Sequence, residues 1–584
     1  MRKAVLAILL CAAPLLAAPA QASQGLLERQ ALREAARLEG RAASSAGVVP
    51  LPLPRSLSET EAFVAQAASS RVQPRIAASS GRQRVLVGVR SHEQLGGVAR
   101  TLRRLGAAPE AFAPIGVLAA TVPSGAALAR TLRDDSRVAY VERDTQVPVA
   151  ADPFDAPDPE HMGLKFTWYF DDVHAAEALA AAGGGSKRTV AVMDTGIDRT
   201  QPEFAGRIAR VYDTHLGGKE VNDVVGHGTF VTGLIAAIDG NGIGGKGVAG
   251  NTKILAIRAS RDGSFTERDL LRGIAFALRQ GADVLNLSLA GDGVPRSVER
   301  ALGAAFYNDV LPVAASGNLG NRKNDAGVFN PVQYPAAVLG GRNGATGIGL
   351  SVAATRPDGT HPGFSTHNSR VSLSGPGASA TDCRFGVLST LPSMLDTEWD
   401  DPQSCNRVFS QGGLRFAYGE GTSFSAPIVS GIAALVWQVE PRLASEQVAE
   451  VLTRSARQTR GKGWNEFTGA GIVDGKAATD LARVYDVTAP KARARAQRLG
   501  SSVSVRMTRT MDRTEQGREL AARVTYGLLV SRNGGRNFSV VASRRKQPIR
   551  RMVALRGAAT NVVAATACDG NGNCAVRRLG RFRP

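Results

Sequence analysis

Between residues 188 and 483, short apolar runs alternate with stretches of helical spacing: "RTVAVMDTG", "HGTFVTGLIAAI", "TKILAIRAS", "ERDLLRGIAFALRQG", "ADVLNLSLAG", "SVERALGAAFYND" and "VLPVAASGN". Runs that stay apolar at every position predict strands buried on both faces. The expected core is therefore an α/β arrangement, a mostly parallel sheet with helices on both sides. Such sheets collect ligands at the carboxyl ends of their strands, where Asp194 and Asn318 fall. Upstream, "RQRVLVGVR" alternates as a strand, His92 to Leu105 has helical spacing, "GVLAATVP" is a strand, Ala126 to Leu132 a second helix and "RVAYVERDTQV" a third strand. That order predicts a small α+β unit over residues 82–150, its helices on one face of an antiparallel sheet. Beyond about Pro490, short alternating strands with turn signals, such as "SSVSVRM" and "VTYGLLVSRNGG", predict a β-sandwich over residues 488–584.

Composition changes this picture in three places. Residues 1–22 have a basic start (Arg2, Lys3), an apolar run and small residues in Ala20-Gln21-Ala22, the pattern of a secretory signal. Cys11 lies within that run. No later stretch was expected to stay apolar for the ~18 residues of a membrane span. Residues 23–81 are Ala- and Arg-rich without clear patterning. The formal net charge is +20 over 584 residues, but from Pro490 onward 21 Lys and Arg face 4 Asp and Glu, so +17 of it belongs to the last unit. A basic appendage makes an anionic surface polymer a candidate partner, although few aromatics are interleaved for stacking on bases. Removing Cys11 with the signal leaves Cys383, Cys405, Cys568 and Cys574, an even set in an export context. Proximity pairs Cys383 with Cys405 and Cys568 with Cys574, and neither pair has the spacing of a zinc site.

Candidate chemistry sits at the strand ends. Asp194 closes "TVAVMD"; His227 opens a helix in "GHGTFVTG"; Asn318 ends "VLPVAASGN"; Ser423 lies in "GEGTSFSAP", ahead of a long apolar run. Each alone has an ordinary structural explanation, and Ser423 alone reads as a helix cap, with Pro427 expected in the first turn.

Together, "VAVMDTGID", "GHGTFVTG", "LNLSLAG", "AASGN" and "GTSFSAP", in this order, resemble the subtilisin-like serine proteases, whose catalytic residues also run Asp, His, Ser. The resemblance implies a three-layer catalytic domain at 151–487, and residues 82–150 resemble the family's ferredoxin-like propeptide, an intramolecular inhibitor cleaved near Ala150. It implies a monomeric, exported bacterial endopeptidase acting on protein or peptide substrates with no cofactor for its chemistry. In it, Ser423 attacks, His227 moves the proton, Asp194 orients the imidazole and Asn318 holds the oxyanion. Ser288, Leu289, Ala290, Ala315, Ser316 and Gly317 match stretches lining the S1 pocket, and Phe329 aligns near its floor, implying small or medium P1 side chains. Gly263 and Ser264 match an edge that pairs with extended substrate. Glu203 and Asn241 match positions that hold structural calcium in relatives. Phe230, Gln201 and Phe424 depart from the family pattern at positions that carry no proton. The Asn318 to Ser423 interval, 105 residues, exceeds that of compact members, and the excess, with Cys383 and Cys405, is expected to be a surface insertion. The competing reading is a catalytically silent surface-binding protein that uses its basic C-terminal unit.

Overall fold

The computed structural model describes residues 82–113, 116–123, 131–132, 135–143, 146–148, 167–239, 241, 244–379, 386–395, 407–411, 414–459, 461, 463–487, 490–508, 512–513, 519–520, 524–532, 538–545, 548–556, 560–569 and 573–583. The expected signal, the 23–81 extension, Ala150, most of helix 126–132, Cys383 and Cys405 lie outside the described residues.

The N-terminal unit comprises β1 (Arg82–Val89), α1 (Leu95–Arg104), β2 (Glu110–Phe112), β3 (Val117–Pro123) and β4 (Val138–Arg143). Its antiparallel sheet has the order β2-β3-β1-β4. Strand alternation divides its side chains between two partners. Val85, Val87 and Leu118 pack with Val98 and Leu102 of α1, whereas Leu86, Phe112, Val117 and Ala119 join a core cluster of the central unit. The third expected strand is split: β5 (Gln146–Pro148) leaves the sheet and pairs elsewhere.

The central unit opens with α2 (Trp168–Asp172) and α3 (Ala175–Ala181), followed by β6 (Thr189–Asp194), β7 (Ile208–Asp213), α4 (His227–Ala236), β8 (Lys253–Arg258) and β9 (Ser264–Thr266). Next come α5 (Glu267–Gln280), β10 (Val284–Leu287), α6 (Arg296–Tyr307), β11 (Leu311–Ala315), α7 (Ala336–Leu339), β12 (Leu350–Thr355) and β13 (Leu373–Pro376). It closes with β14 (Val387–Leu391), β15 (Arg407–Gln411), β16 (Leu414–Gly419), α8 (Thr422–Val439), α9 (Ser445–Ser455) and α10 (Gly475–Val484). Seven strands form a parallel sheet of order β13-β12-β11-β10-β6-β8-β7. Val190 and Val192 face one core cluster while Ala191 and Met193 face the other, which explains why β6 reads as one apolar run. After β8 the chain crosses β6 to build the other half of the sheet, so a crevice opens beyond the carboxyl ends of β6 and β10.

Helix α8 fills one of these clusters. It is long and apolar enough to cross a membrane, with mean hydropathy 1.3, which corrects the expectation that no later stretch would be, but 89% of that window is buried inside the protein. The expected surface insertion is also partly core: every residue of β14 is buried, and Ser389 Oγ donates to the Phe230 carbonyl of α4 at 2.6 Å.

The C-terminal unit comprises β17 (Ala494–Leu499), β18 (Ser502–Met507), β19 (Asp512–Arg513), β20 (Glu519–Leu520), β21 (Thr525–Ser531), β22 (Ser539–Arg545), β23 (Arg550–Ala554), β24 (Asn561–Cys568) and β25 (Cys574–Phe582). The sheets β17-β18-β23 and β22-β21-β24-β25 enclose Val503, Val505, Val553, Tyr526, Leu528 and Val563, as a sandwich requires. Cys568 and Cys574 are joined in a disulfide across β24 and β25. Asn573, beside it, accepts from Gln447 of α9 at 2.9 Å and donates to the Asp486 carbonyl at 2.6 Å, fastening the two units.

Candidate active site

The Asp194 carboxylate is buried at the end of β6, and its Oδ1 accepts from the Thr195 N–H at 2.8 Å. The same oxygen lies 2.7 Å from Nδ1 of His227, the first residue of α4. The helix comes this close because residue 228 is glycine: a Cβ there would collide with the backbone of Gly196. Asp223 fixes the loop between them. One of its oxygens accepts from Thr195 Oγ1 and the Gly226 N–H, both at 2.8 Å. The other accepts from the Thr229 N–H at 2.8 Å and the Thr229 hydroxyl at 2.7 Å. This buried carboxylate thus ties the segment after Asp194 to both sides of His227. The two aromatic departures are coupled, since the rings of Phe230 and Phe424 lie 4.3 Å apart and the His227 and Phe424 rings 5.7 Å apart.

Ser423 is the second residue of α8, so its N–H belongs to the unpaired first turn of a helix. Thr422 positions Asn318: its N–H and its hydroxyl both donate to Asn318 Oδ1, at 3.0 and 2.8 Å. A backbone N–H can only donate, so the amide oxygen must face Thr422, and the amide nitrogen points away from it. Pro427 lies in the second turn of α8 rather than the expected first, where it removes the N–H that would bond the Ser423 carbonyl. Ser288 replaces that donor: its hydroxyl reaches the Ser423 carbonyl at 2.7 Å. Asn286 in turn donates to Ser288 Oγ at 3.0 Å and accepts from Ser430 Oγ at 2.9 Å. Ser288→Ala is therefore expected to lower unfolding stability by about 1–3 kcal/mol, the range for an orphaned buried carbonyl. Denaturant melts would show it; an unchanged midpoint would mean that the turn is held by other means.

Of the remaining sequence-selected residues, Leu289, Ala290, Ala315 and Ser316 are buried beside these strand ends. Gly317 follows with φ 109°, and a Cβ on it would strike the Gln333 side chain. Gln333, buried and accepting from Thr366 Oγ1 at 3.0 Å, is the side chain packed against Gly317. Phe329 is 60% exposed instead, so the floor assignment is corrected. Gly263 has φ 90° and precedes β9, whose edge is taken by β5, with Val147 opposite Phe265 and Pro148 opposite Ser264.

Glu203 and Asn241 do meet: the Asn241 amide donates to Glu203 Oε2 at 3.0 Å, and burial pushes the Glu203 carboxyl up to about 7. Asn241 turns its N–H toward the carboxylate, and no group of three or more His, Cys, Asp or Glu gathers here among the described residues. Calcium takes 6–8 oxygens, of which this pair would supply only a part, and Gly240, Gly242 and Ile243 of the same loop lie outside the described residues.

Residues 185–471 match the model of the subtilase family. Subtilisin Savinase from Lederbergia lenta is 31% identical over 313 residues, which cover 53% of this chain and 98% of that protein. The chain belongs to the subtilase family. Among other relatives of this subtilase, the thermophilic serine proteinase of Bacillus sp. (strain AK1) is 32% identical, over 46% of this chain and 58% of that protein. Fervidolysin from Fervidobacterium pennivorans is 30% identical, over 53% of this chain and 43% of that protein. The chain thus spans about half the length of these two. The crystal structure of fervidolysin, described as a keratinolytic enzyme related to subtilisin, superposes with a TM-score of 0.54 at 18% identity, covering 86% of this chain and 92% of that one. That likeness shows the subtilisin-like fold.

Proposed function

We propose that this subtilase is an exported bacterial serine endopeptidase, monomeric and matured by cleavage of its own propeptide. His227, held in one tautomer by Asp194, takes the proton of Ser423 as its oxygen attacks the scissile carbonyl and later gives it to the leaving amine. The Asn318 amide nitrogen and the Ser423 N–H donate to the oxyanion, and water then releases the acyl group by the reverse sequence. Every step draws on protein groups alone. The observation that carries this reading is the Thr422 clamp on Asn318 Oδ1, which caps the start of α8 and at the same time leaves the amide nitrogen turned away from Thr422. A fluorophosphonate probe tests it: the processed protein should be labelled and Ser423→Ala should not, while an unlabelled processed protein would favour the silent surface-binding reading.

The N-terminal unit has the contacts of an inhibitor. Glu142 accepts from the N–H groups of Arg296 and Ser297 at the start of α6, at 2.9 and 2.8 Å. Glu110 bridges Arg268 and Arg272 of α5, at 2.8 and 2.6 Å, and β5 fills the edge of β9 where an extended substrate would pair. All three groups of the Glu110 bridge are partly exposed, so solvent screening reduces its strength. Glu110→Gln is expected to weaken inhibition of the processed enzyme by added propeptide about tenfold at low salt. The difference should shrink in high salt. An inhibition constant that does not move would place the hold in the apolar contacts of Leu86, Phe112 and Val117 instead.

A further inference from the structure

The outer face of the three-stranded sheet in the C-terminal unit carries an arrangement that neither proteolysis nor folding requires. Arg495 of β17 is directly opposite Arg506 of β18, and Arg506 is directly opposite Arg550 of β23. Directly opposed residues of antiparallel strands project from the same face. The inner face is fixed by buried Val503, Val505 and Val553, so the three arginines stand side by side on the outer one, and all are exposed. With strands about 4.8 Å apart, the row is about 10 Å long. Arg493, whose carbonyl accepts from the Thr508 N–H at 2.8 Å, continues the ladder at the next position on that face. None of Arg495, Arg506 and Arg550 has an ion-pair partner among the described residues.

Like charges placed directly opposite one another destabilise a sheet. A row of three therefore opposes folding, and no counter-charge for it stands among the described residues. The rest of the face indicates what kind of anion fits. Gln497 is opposite Ser504, and Ser502 follows on the same face, giving amide and hydroxyl groups in line with the arginines. The face has no aromatic ring on which a base could stack. Its apolar members, Leu499 and Met552, are 49% and 52% exposed and sit on different strands. Guanidinium forks bind carboxylates in pairs of hydrogen bonds, and flanking hydroxyl and amide groups match sugar hydroxyls.

We infer that the Arg495, Arg506 and Arg550 row is a docking face for a linear acidic polysaccharide bearing carboxylates, and that it holds the protease on such a polymer. The inference stands apart from the role of Ser423, because its readout is binding. The full-length protein, inactivated to prevent self-digestion, is titrated with labelled polygalacturonate. The triple variant Arg495→Gln, Arg506→Gln, Arg550→Gln should bind about tenfold more weakly near 0.1 M salt, with the dependence of log affinity on log salt flattened by roughly two to three. A control triple, Arg498→Gln, Arg551→Gln, Arg583→Gln, removes the same charge away from the row and should change affinity by less than about threefold. Equal losses in the two triples would overturn the inference in favour of net charge alone. So would tighter binding of duplex DNA or phosphatidylglycerol vesicles than of polygalacturonate. Arg506→Gln alone gives a second readout: relief of the opposed charges should raise the melting temperature, and a fall would mean that the row is structural.

Discussion

Ser423→Ala is expected to lower kcat about a million-fold, the loss that removing the nucleophile brings in subtilisin. It should also leave the precursor uncut. In the proposed mechanism the hydroxyl is the one group that forms the covalent intermediate, and the substitution disturbs little else. The Ser423 carbonyl keeps its bond from Ser288, and Thr422 keeps its hold on Asn318, because both use atoms that alanine retains or a neighbouring residue supplies. The variant should therefore melt like the parent and keep its oxyanion donors, leaving some rate above the uncatalysed reaction. Hydrolysis of a chromogenic peptide measures the first effect and the mass of the secreted product the second. A loss below about a hundred-fold would assign the nucleophile elsewhere. Thr422→Ala provides the contrast: it retains the nucleophile and releases the Asn318 oxygen from its hydroxyl partner.

How far this could be read from the sequence depends on whether a feature is local. The strands β6, β10 and β11 were legible because burial on both faces leaves an unbroken apolar run. Asp194, His227, Asn318 and Ser423 could be proposed from the sequence because each sits in a short motif at a strand end or helix start. Asn286 left a signal that passed unused, a lone amide inside the apolar run of β10, and such a group has to find partners. Asp223 left none, because its five donors come from the segments around Thr195 and His227 and only the folded loop collects them. Phe230 and Phe424 looked like two independent departures although they are one contact across 194 residues of chain (424 minus 230). Gln333 was passed over for Phe329 because a register along the loop does not say which residue turns inward. Pro427 was assigned one turn early because the start of α8 at Thr422 is set by Asn318, far away in sequence.

Asp194→Asn is the second large effect, about a thousand- to ten-thousand-fold in kcat, and the geometry specifies its form. A carboxamide can lie in two ways. If its nitrogen takes the place of Oδ1, it faces the Thr195 N–H donor, and His227 must present Nδ1 as an acceptor, the wrong tautomer for accepting the Ser423 proton. If its oxygen takes that place, both bonds survive and the nitrogen falls where Oδ2 lies, which has no hydrogen-bond partner in the described structure. An unsatisfied buried donor costs about 1–3 kcal/mol, less than the loss of two bonds with donors set face to face. The second orientation should win, so the tautomer is kept and the loss comes from the missing charge that stabilises the imidazolium. Two results should follow. The pKa on the acid limb of the kcat/KM profile should fall, since a neutral amide no longer favours the protonated ring. Asp194→Ala, which also frees the ring to turn, should be slower than Asp194→Asn. An acid limb that stays in place would show that Asp194 acts by holding the ring alone, and an alanine variant that equals the asparagine variant would show that it acts through its charge alone.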